Sequence, residues 1–341
     1  MKNYFKRIKG RILYVENNII VKSAYNRIFI SLDSGINWDI VKKISSKEWS
    51  FPRMRLVNRL LRRGVHHLEI MDNGNFSIVY NKSVLIKSPL KEYVEKLSGS
   101  RPLSLECALN GVVFGEYKSN SKREPINIYK FSENEGLTSV ALLHGIRHVH
   151  GVYKDPYEEK LWFTTGDSDE ESYIGFTTDG FKSTSKVLSG SQQTRAIKML
   201  FTEHYIYFGS DTPTEANYIY RLNRSTLECK SLCCVGGPVF HGCKVGSWLF
   251  LSTSVEPMVD RNSYVEIWAS RCDDDWRKIY CIRKDIFPMK LFQYGQIYFP
   301  NGNGDNKNLW ISHFATAKDN VIEKFSLNEV ELAYSENRLL S

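Results

Sequence analysis

Long apolar runs are missing from this 341-residue sequence. No stretch of eighteen apolar residues occurs, and the N-terminal segment MKNYFKRIKGRILYVENN carries positive charge without the uninterrupted apolar core of a signal peptide. We therefore expect a cytoplasmic protein with no transmembrane span. Low-complexity segments and Pro/Gly-rich hinges are also missing, so we expect residues 1–341 to form a single domain.

Cysteines are few and carry no metal-site spacing. They are odd in number, and the adjacent pair Cys233-Cys234 lacks the CxxC spacing of zinc and redox sites. Most fall inside apolar, strand-like runs. We therefore expect buried free thiols at all seven positions: Cys107, Cys229, Cys233, Cys234, Cys243, Cys272 and Cys281.

The sequence is rich in the residues that build a core. Hydrophobic residues make up 42% and aromatic residues 13% of the chain, which excludes a disordered protein. A formal net charge of +8 favours an anionic partner. Much of that charge lies in RMRLVNRLLRR, residues 53–63, where leucines recur at helical spacing between arginines. We interpret this segment as a short amphipathic helix laid against the sheet, in preference to a membrane or nucleic-acid contact, and nucleic acid is an unlikely partner.

A unit of four strand-like runs repeats along the chain. The turn between its third and fourth runs recurs every 44 to 55 residues, near Asp33, Ser88, Asn134, Asp179, Asn223, Asp273 and Lys318. Four-stranded meanders bury their faces by radial stacking, so the repeat predicts an all-β fold, a seven-bladed β-propeller of four-stranded antiparallel blades. The predicted blades span residues 10–50, 55–98, 103–143, 147–188, 194–232, 239–283 and 288–327. The apolar run from Tyr4 to Ile8 is a candidate to complete the final blade, and residues 328–340 a candidate terminal helix.

One of these turns carries a recognisable motif. Residues 31–38, SLDSGINW, match the Asp-box pattern S-x-D-x-G-x-x-W, in which the Asp caps backbone amides of a tight turn and the Gly adopts positive φ. Residues 177–181, TTDGF, and 132–136, SENEG, look like decayed copies at the equivalent turn.

On these motifs the chain resembles the BNR/Asp-box repeat, sialidase-like β-propeller family. Residues 105–232 look like bacterial BNR-repeat proteins described as glycosyl hydrolases, some of them associated with surface polysaccharide. The resemblance implies a propeller and a carbohydrate ligand. It does not extend to the sialidase site, because residues 51–53, FPR, are a poor substitute for the arginine motif of that family.

Polar residues recur on the face opposite the Asp-box turns. In a four-stranded blade the turns between strands two and three share this face with the connections between blades, so their side chains should ring one mouth. Carboxylates interleaved with imidazoles and guanidiniums suit acid–base chemistry on a glycan. The predicted catalytic residues are His148, His150, Glu116, Asp167, Asp211 and Tyr117, and the predicted substrate-binding residues are Arg147, Arg195, Gln193, Asn217, His241 and Asn301.

Two histidines form the sharpest feature of this mouth. His148 and His150 lie two residues apart on a strand, so their side chains point to the same side. Catalysis or binding, a structural hydrogen bond across the channel, and a metal site completed by His241 are the alternatives. We assign no metal and no cofactor, because a histidine pair alone lacks a recognisable third ligand.

Two functions fit this pattern. The first is a carbohydrate-active enzyme, a glycoside hydrolase or polysaccharide lyase acting on an acidic bacterial oligo- or polysaccharide. In a hydrolase two carboxyl groups would share the reaction, whereas in a lyase Arg147 or Arg195 would neutralise a uronate and a histidine or Tyr117 would remove the proton. The second is a non-catalytic propeller that binds glycan or protein in surface-polysaccharide biosynthesis.

Overall fold

The computed structural model describes residues 8–45, 47, 49–257 and 263–340. The chain is a seven-bladed β-propeller with four-stranded, mostly antiparallel blades, which confirms the predicted fold class. It divides into two compact units: one takes the chain up to Gly64 and from His241 onward, and the other is Val65–Phe240. None of the helices in the described residues is long and apolar enough to cross a membrane.

The N-terminal part of the first unit contains the first blade and a helix. Its elements are β1 (Ile8–Lys9), β2 (Arg11–Glu16), β3 (Ile19–Ala24), β4 (Arg27–Ser31), β5 (Asp39–Lys43) and α1 (Arg55–Leu60).

The second unit contains blades two to five, each a meander of sequential strands. Blade two is β6 (Val65–Ile70), β7 (Phe76–Tyr80), β8 (Ser83–Lys87) and β9 (Glu92–Lys96). Blade three is β10 (Glu106–Ala108), β11 (Gly111–Gly115), β12 (Ile126–Ser132) and β13 (Gly136–Leu143). Blade four is β14 (Val149–Lys154), β15 (Leu161–Thr165), β16 (Tyr173–Thr177) and β17 (Ser185–Ser189). Blade five is β18 (Ala196–Phe201), β19 (Tyr205–Ser210), β20 (Asn217–Asn223) and β21 (Cys229–Val235), preceded by a 3₁₀ turn at Gln192–Thr194.

The C-terminal part of the first unit contains the last two blades and two helices. Blade six is β22 (Val239–Val245), β23 (Trp248–Thr253), β24 (Tyr264–Ser270) and β25 (Arg277–Arg283). The remaining elements are α2 (Met289–Phe292), β26 (Gln296–Tyr298), β27 (Asn301–Gly304), β28 (Asn308–Phe314), β29 (Val321–Ser326) and α3 (Leu327–Ser335).

Strand position within a blade follows from the sequence pattern. The second strands β11, β15 and β23 are buried along their whole length, and each reads as a short continuous apolar run. The outermost strand β9, with the sequence EYVEK, alternates between exposed and half-buried positions and has no fully buried residue. Strands whose two faces are covered by neighbouring blades are thus continuously apolar, whereas an outermost strand alternates between exposed and half-buried positions.

The Asp-box turn between β4 and β5 has the predicted geometry. The Asp33 carboxylate accepts hydrogen bonds from the backbone N–H groups of Ile36, at 3.1 Å, and Asn37, at 2.9 Å. Ser31 Oγ accepts the N–H of Gly35 at 2.8 Å, and Gly35 has a φ of 91°. These bonds lower the pKa of Asp33 to about 2, chiefly through the N–H of Asn37.

The equivalent turn of blade four repeats these bonds residue for residue. Thr177 Oγ1 accepts the N–H of Phe181 at 3.0 Å, and the Asp179 carboxylate accepts the N–H of Ser183 at 2.9 Å. Spacings of four residues between donor and acceptor are the same as at residues 31–37. The two turns are therefore structural copies although their sequences share only the Asp.

The last blade differs from the predicted order. Its sheet runs β1-β29-β28-β26, so the N-terminal strand β1 supplies the outermost strand through the pair Ile8↔Ile322. The turn near Lys318 consequently lies between the second and third strands of this blade, whereas in the six other blades the predicted turn lies between the third and fourth. The start of the apolar run predicted to complete the blade, at Tyr4, lies outside the described residues.

Helix α1 lies against the protein with the opposite face to that expected of an amphipathic helix. The side chain of Arg59 is 1% exposed, and its Nη1 lies 2.5 Å from Asp285 Oδ2. Asn58 is also buried and donates to the carbonyl of Phe51 at 2.9 Å. Leu60 is left 46% exposed. Polar residues occupy the inner face because backbone carbonyls and carboxylates there need donors.

All seven cysteines are free, as predicted, but only Cys243 is fully buried, and Cys229 and Cys234 are exposed, because they lie on an outer strand. Helix α3 begins at a capping box in which the Ser326 side chain accepts the N–H of Glu329 and the Glu329 side chain accepts the N–H of Ser326.

Candidate functional site

A cluster of charged side chains lies in the second unit, where blades three, four and five expose their turns between strands two and three. Tyr117 follows β11, Asp167 follows β15, and Asp211 follows β19. His148 and Arg195 enter the same region from the connections before β14 and β18. The phase of the repeat, rather than closeness in sequence, brings these residues together.

The two histidines meet as the strand period predicts. Their Nε2 atoms are 3.1 Å apart, and both side chains are buried. The pairing of β14 with β15 shifts register between Val149 and Gly151, so a bulge sits at His150. Nδ1 of His148 lies 3.4 Å from the carbonyl of Lys118, a contact that orients the ring with its Nε2 towards the cluster.

Asp167 is the centre of the cluster. Its Oδ1 lies 3.3 Å from His148 Nε2, 3.7 Å from His150 Nε2 and 3.2 Å from Arg195 Nη2. Its Oδ2 lies 2.8 Å from Arg147 Nη1. One carboxylate thus contacts two imidazoles and two guanidiniums.

A glycine permits this convergence. A Cβ on Gly166 would lie 2.8 Å from Ser172 Oγ and 2.9 Å from Arg195 Cγ. The missing side chain lets the stem of Arg195 lie against the turn of blade four. Its guanidinium then reaches Asp167 on one side and Asp211 on the other, with Nε 2.9 Å from Asp211 Oδ2.

Burial and charge set the protonation states. Burial lowers the pKa of His150 to about 4, although the neighbouring Asp167 carboxylate opposes the shift, so the imidazole is neutral near pH 7. Burial alone would raise the pKa of Asp167. The hydrogen bond from His148, the nearby His150 ring and the positive charge of Arg195 outweigh it and hold that pKa well below its usual range. Asp167 is therefore a carboxylate at every physiological pH.

Tyr117 stacks on the histidine pair from the neighbouring blade. Its ring centroid is 4.1 Å from that of His148 and 6.5 Å from that of His150. Burial, followed by the negative charges of Asp167 and Asp211, raises the pKa of Tyr117 to about 12. Unlike the buried histidines it is partly exposed.

Glu116 and Asp211 are buried and paired with cations. Glu116 Oε2 accepts both the backbone and the side-chain N–H groups of Asn127 at 3.0 Å, and Oε1 lies 3.0 Å from Lys118 Nζ. Asp211 is 1% exposed and faces Arg195. Both carboxylates are placed to organise their turns and cations, and neither opens to solvent.

Gln193 and Asn217 bond within blade five. Gln193 Nε2 donates to Glu215 at 2.7 Å, and Gln193 Oε1 accepts the hydroxyl of Tyr220 at 2.8 Å. Asn217 is buried, and its Oδ1 accepts the N–H of Thr212 at 2.9 Å. These amides brace the turn after β19 rather than join the contacts at Asp167.

His241 and Asn301 belong to the first unit. Nε2 of His241 lies 3.1 Å from Gln296 Oε1, and its ring packs on Tyr298. Asn301 begins β27, which pairs in parallel with β2. Asn301 therefore lies between the first and second strands of its blade, not in a turn between strands two and three as predicted, because β1 shifts the strand order of that blade.

Three supporting residues were missed by the sequence reasoning. Glu171 Oε2 accepts the backbone N–H of Arg147 at 3.1 Å, and its Oε1 pairs with Arg123. Lys118 orients His148 through its carbonyl. Glu171 lies four residues after Asp167 in the same turn, which was the available signal.

The donor set at Asp167 fits a divalent cation. His148 Nε2, His150 Nε2 and Asp167 Oδ1 are separated by 3.1, 3.3 and 3.7 Å. For such a triangle a point exists about 2.0–2.2 Å from all three atoms, the distance range of nitrogen and oxygen ligands to zinc-sized ions. Asp167 is thus the third metal ligand that could not be recognised in the sequence. Because His150 is neutral, its Nε2 can also bind a metal ion.

Comparisons with known proteins support the architecture. No protein-family model and no curated protein sequence matches the chain. Among solved structures, an oligogalacturonate lyase in complex with manganese matches at 8% identity and TM-score 0.60, over 93% of this chain and 89% of that one. A second oligogalacturonate lyase, from Vibrio parahaemolyticus, matches at 10% identity and TM-score 0.60, over 94% and 90%. Catalytically inactive virginiamycin B lyase from Staphylococcus aureus with quinupristin matches at 13% identity and TM-score 0.59, over 94% and 96%. At these identities the matches show the fold alone, a β-propeller.

Proposed function

We propose that the protein is a polysaccharide lyase that cleaves an acidic, uronate-containing glycan by β-elimination at the cluster around Asp167. The observation that carries this choice is the pairing of every predicted catalytic carboxylate with a cation: Glu116 with Lys118, Asp167 with Arg147, and Asp211 with Arg195. A glycoside hydrolase needs one carboxyl group that holds a proton. The pKa of Asp167, at the centre of the cluster, is held well below its usual range, so this carboxyl group cannot hold that proton and the cluster suits elimination better than hydrolysis.

Arg147 and Tyr117 have different roles in the elimination. The guanidinium of Arg147, 38% exposed, binds the uronate carboxylate and makes the neighbouring C5 proton more acidic. The phenolate of Tyr117 removes that proton, the C4=C5 double bond forms as the C4–O bond breaks, and the resulting phenol returns the proton to the leaving oxygen. Protons balance and no water is consumed.

A divalent cation belongs to the same proposal. His148, His150 and Asp167 would hold it, in keeping with the manganese named for one of the similar structures. When bound, it would supply a second positive charge for the uronate carboxylate. The buried histidines then serve as ligands, and proton transfer falls to the partly exposed Tyr117.

The turns at Asp33 and Asp179 support a relationship to the BNR/Asp-box propellers. Their shared hydrogen bonds are those that the motif requires, and a propeller of that family fits the surface-polysaccharide context of the sequence resemblance.

The test is incubation with polygalacturonate, alginate and polyglucuronate, with and without added Mn²⁺. The proposal expects ultraviolet absorbance from unsaturated uronates, abolished by Tyr117→Phe and reduced by Arg147→Gln. Arg338→Gln, at an exposed arginine of the first unit, is the matched control and should leave the absorbance unchanged. Activity should rise about tenfold per pH unit between pH 7 and 10, because the reactive phenolate becomes more abundant. New reducing ends without absorbance would establish a hydrolase instead. Retention of glycan with neither product would establish the binding propeller.

A further inference from the structure

An exposed apolar surface lies on the first unit, far in sequence from the candidate lyase residues. We name the α1–α2 patch by its members, Leu56, Leu60, Leu61, Ile286 and Leu291. They are between 39% and 93% exposed, with Ile286 the most exposed. Single exposed leucines are ordinary, but five around two packed helices form a feature that needs an occupant.

The patch is held in place by buried polar contacts. Arg59 Nη2 donates to the carbonyl of Phe292 at 2.6 Å, and Gln293 donates to the carbonyl of Arg59 at 2.7 Å. The Arg59 guanidinium also lies 5.6 Å from the ring of Phe287. These contacts fix α1 against the α2 segment with its leucines outward.

One depression joins the two halves of the patch. Leu56, from α1, lines a surface cavity of about 480 Å³ together with Ile286 and Phe287. Arg283 lines the same cavity. Apolar and basic groups thus share one concave surface rather than scattered positions.

Basic side chains outnumber acidic ones around the patch. Asp285 and Asp319 also line the cavity, but each is paired with arginine or lysine. Residues 49–63 contain no acidic residue, and their exposed ionisable side chains include Arg53 and Arg62. In the described segment 283–293, the exposed charges are Arg283 and Lys290, while Asp285 is used by Arg59 and Lys284.

We infer that the α1–α2 patch docks the protein on an anionic lipid surface. Such a surface offers phosphate oxygens to the basic rim and an apolar layer to the aliphatic side chains, so it satisfies both halves of the patch. Nucleic acid would satisfy the arginines but leave the leucines in water. The inference is independent of the lyase proposal, since it uses residues of the other unit.

The experiment is sedimentation with vesicles of phosphatidylcholine alone or with phosphatidylglycerol. We expect binding to the anionic vesicles only, weakened about fivefold by each of Arg53→Gln and Arg62→Gln. Leu60→Ser and Ile286→Ser should each weaken it about tenfold. Leu90→Ser is the matched control, since Leu90 is also 93% exposed but lies on blade two, and it should bind as the unchanged protein does.

Several outcomes would overturn the inference. They are no binding to anionic vesicles, binding that survives the patch substitutions, loss of binding with Leu90→Ser, or vesicle binding fully displaced by DNA at constant salt. Self-association that disappears with Leu60→Ser in the absence of vesicles would identify a second copy of the chain as the occupant. The altered side chains are solvent-exposed, so unchanged thermal unfolding is expected of each variant and shows that it is folded.

Discussion

Replacing Asp167 by Asn removes the one anion that faces both arginines and both histidines. The amide keeps the volume but cannot pair with Arg147 at 2.8 Å or with Arg195 at 3.2 Å. Asp39→Asn, at an exposed carboxylate that begins β5, is the control.

The cost follows from the exposure of the partners. Arg147 is 38% exposed, so screening by water limits that pair to below about 1 kcal/mol. Arg195 is 15% exposed and keeps Asp211 as a partner, so its loss is partial. We expect Asp167→Asn to lower the free energy of unfolding by about 2 kcal/mol near pH 7, and Asp39→Asn by less than about 0.5 kcal/mol.

The effect should depend on pH in one direction. Because the folded-state pKa of Asp167 is lowered, its stabilisation is present above the unfolded pKa of about 4 and is lost as pH falls through the folded value. Urea unfolding from pH 7 to pH 3, with chelator present, measures this. Equal stability of the Asp167 and Asp39 variants at pH 7, or a difference that grows as the pH falls, would refute the reasoning.

Two further predictions concern the fold. Arg59→Met should lower the free energy of unfolding by about 3–5 kcal/mol because Asp285 loses a buried partner. Leu60→Ser should lower it by less than about 0.5 kcal/mol because Leu60 is exposed. Urea unfolding that ranks the two variants in the reverse order would show that α1 presents its leucines to the interior. Carboxyl NMR titration should give a pKa of about 2 for both Asp33 and Asp179, and Ser31→Ala should raise only that of Asp33; a parallel change at Asp179 would contradict the local hydrogen-bond cause.

Features encoded within a few residues could be predicted. The Asp33 turn is specified by donors at Gly35, Ile36 and Asn37, and the meeting of His148 with His150 needs only the two-residue strand period. The antiparallel pairing of β14 with β15 then brings Asp167 to the same histidines, because Val149 pairs with Thr165.

Features that depend on residues far away in the sequence could not be predicted. The outermost strand of the last blade is β1, in which Ile8 pairs with Ile322 at the other end of the chain. The predicted strand order of that blade, and with it the predicted turn position of Asn301, was therefore wrong. Helical spacing predicted α1, but its orientation is decided by Asp285, 226 residues from Arg59. Polar residues such as Asn217 look like ligand contacts in sequence, yet their hydrogen bonds are used within their own turn.

The most direct test of the proposed chemistry counts products. With a polyuronate that the protein cleaves, unsaturated uronates and new reducing ends should form in a ratio of one to one, since each elimination makes one of each. New reducing ends without any double bond would mean that water, rather than the phenolate of Tyr117, attacks the glycan, and that result would contradict the account.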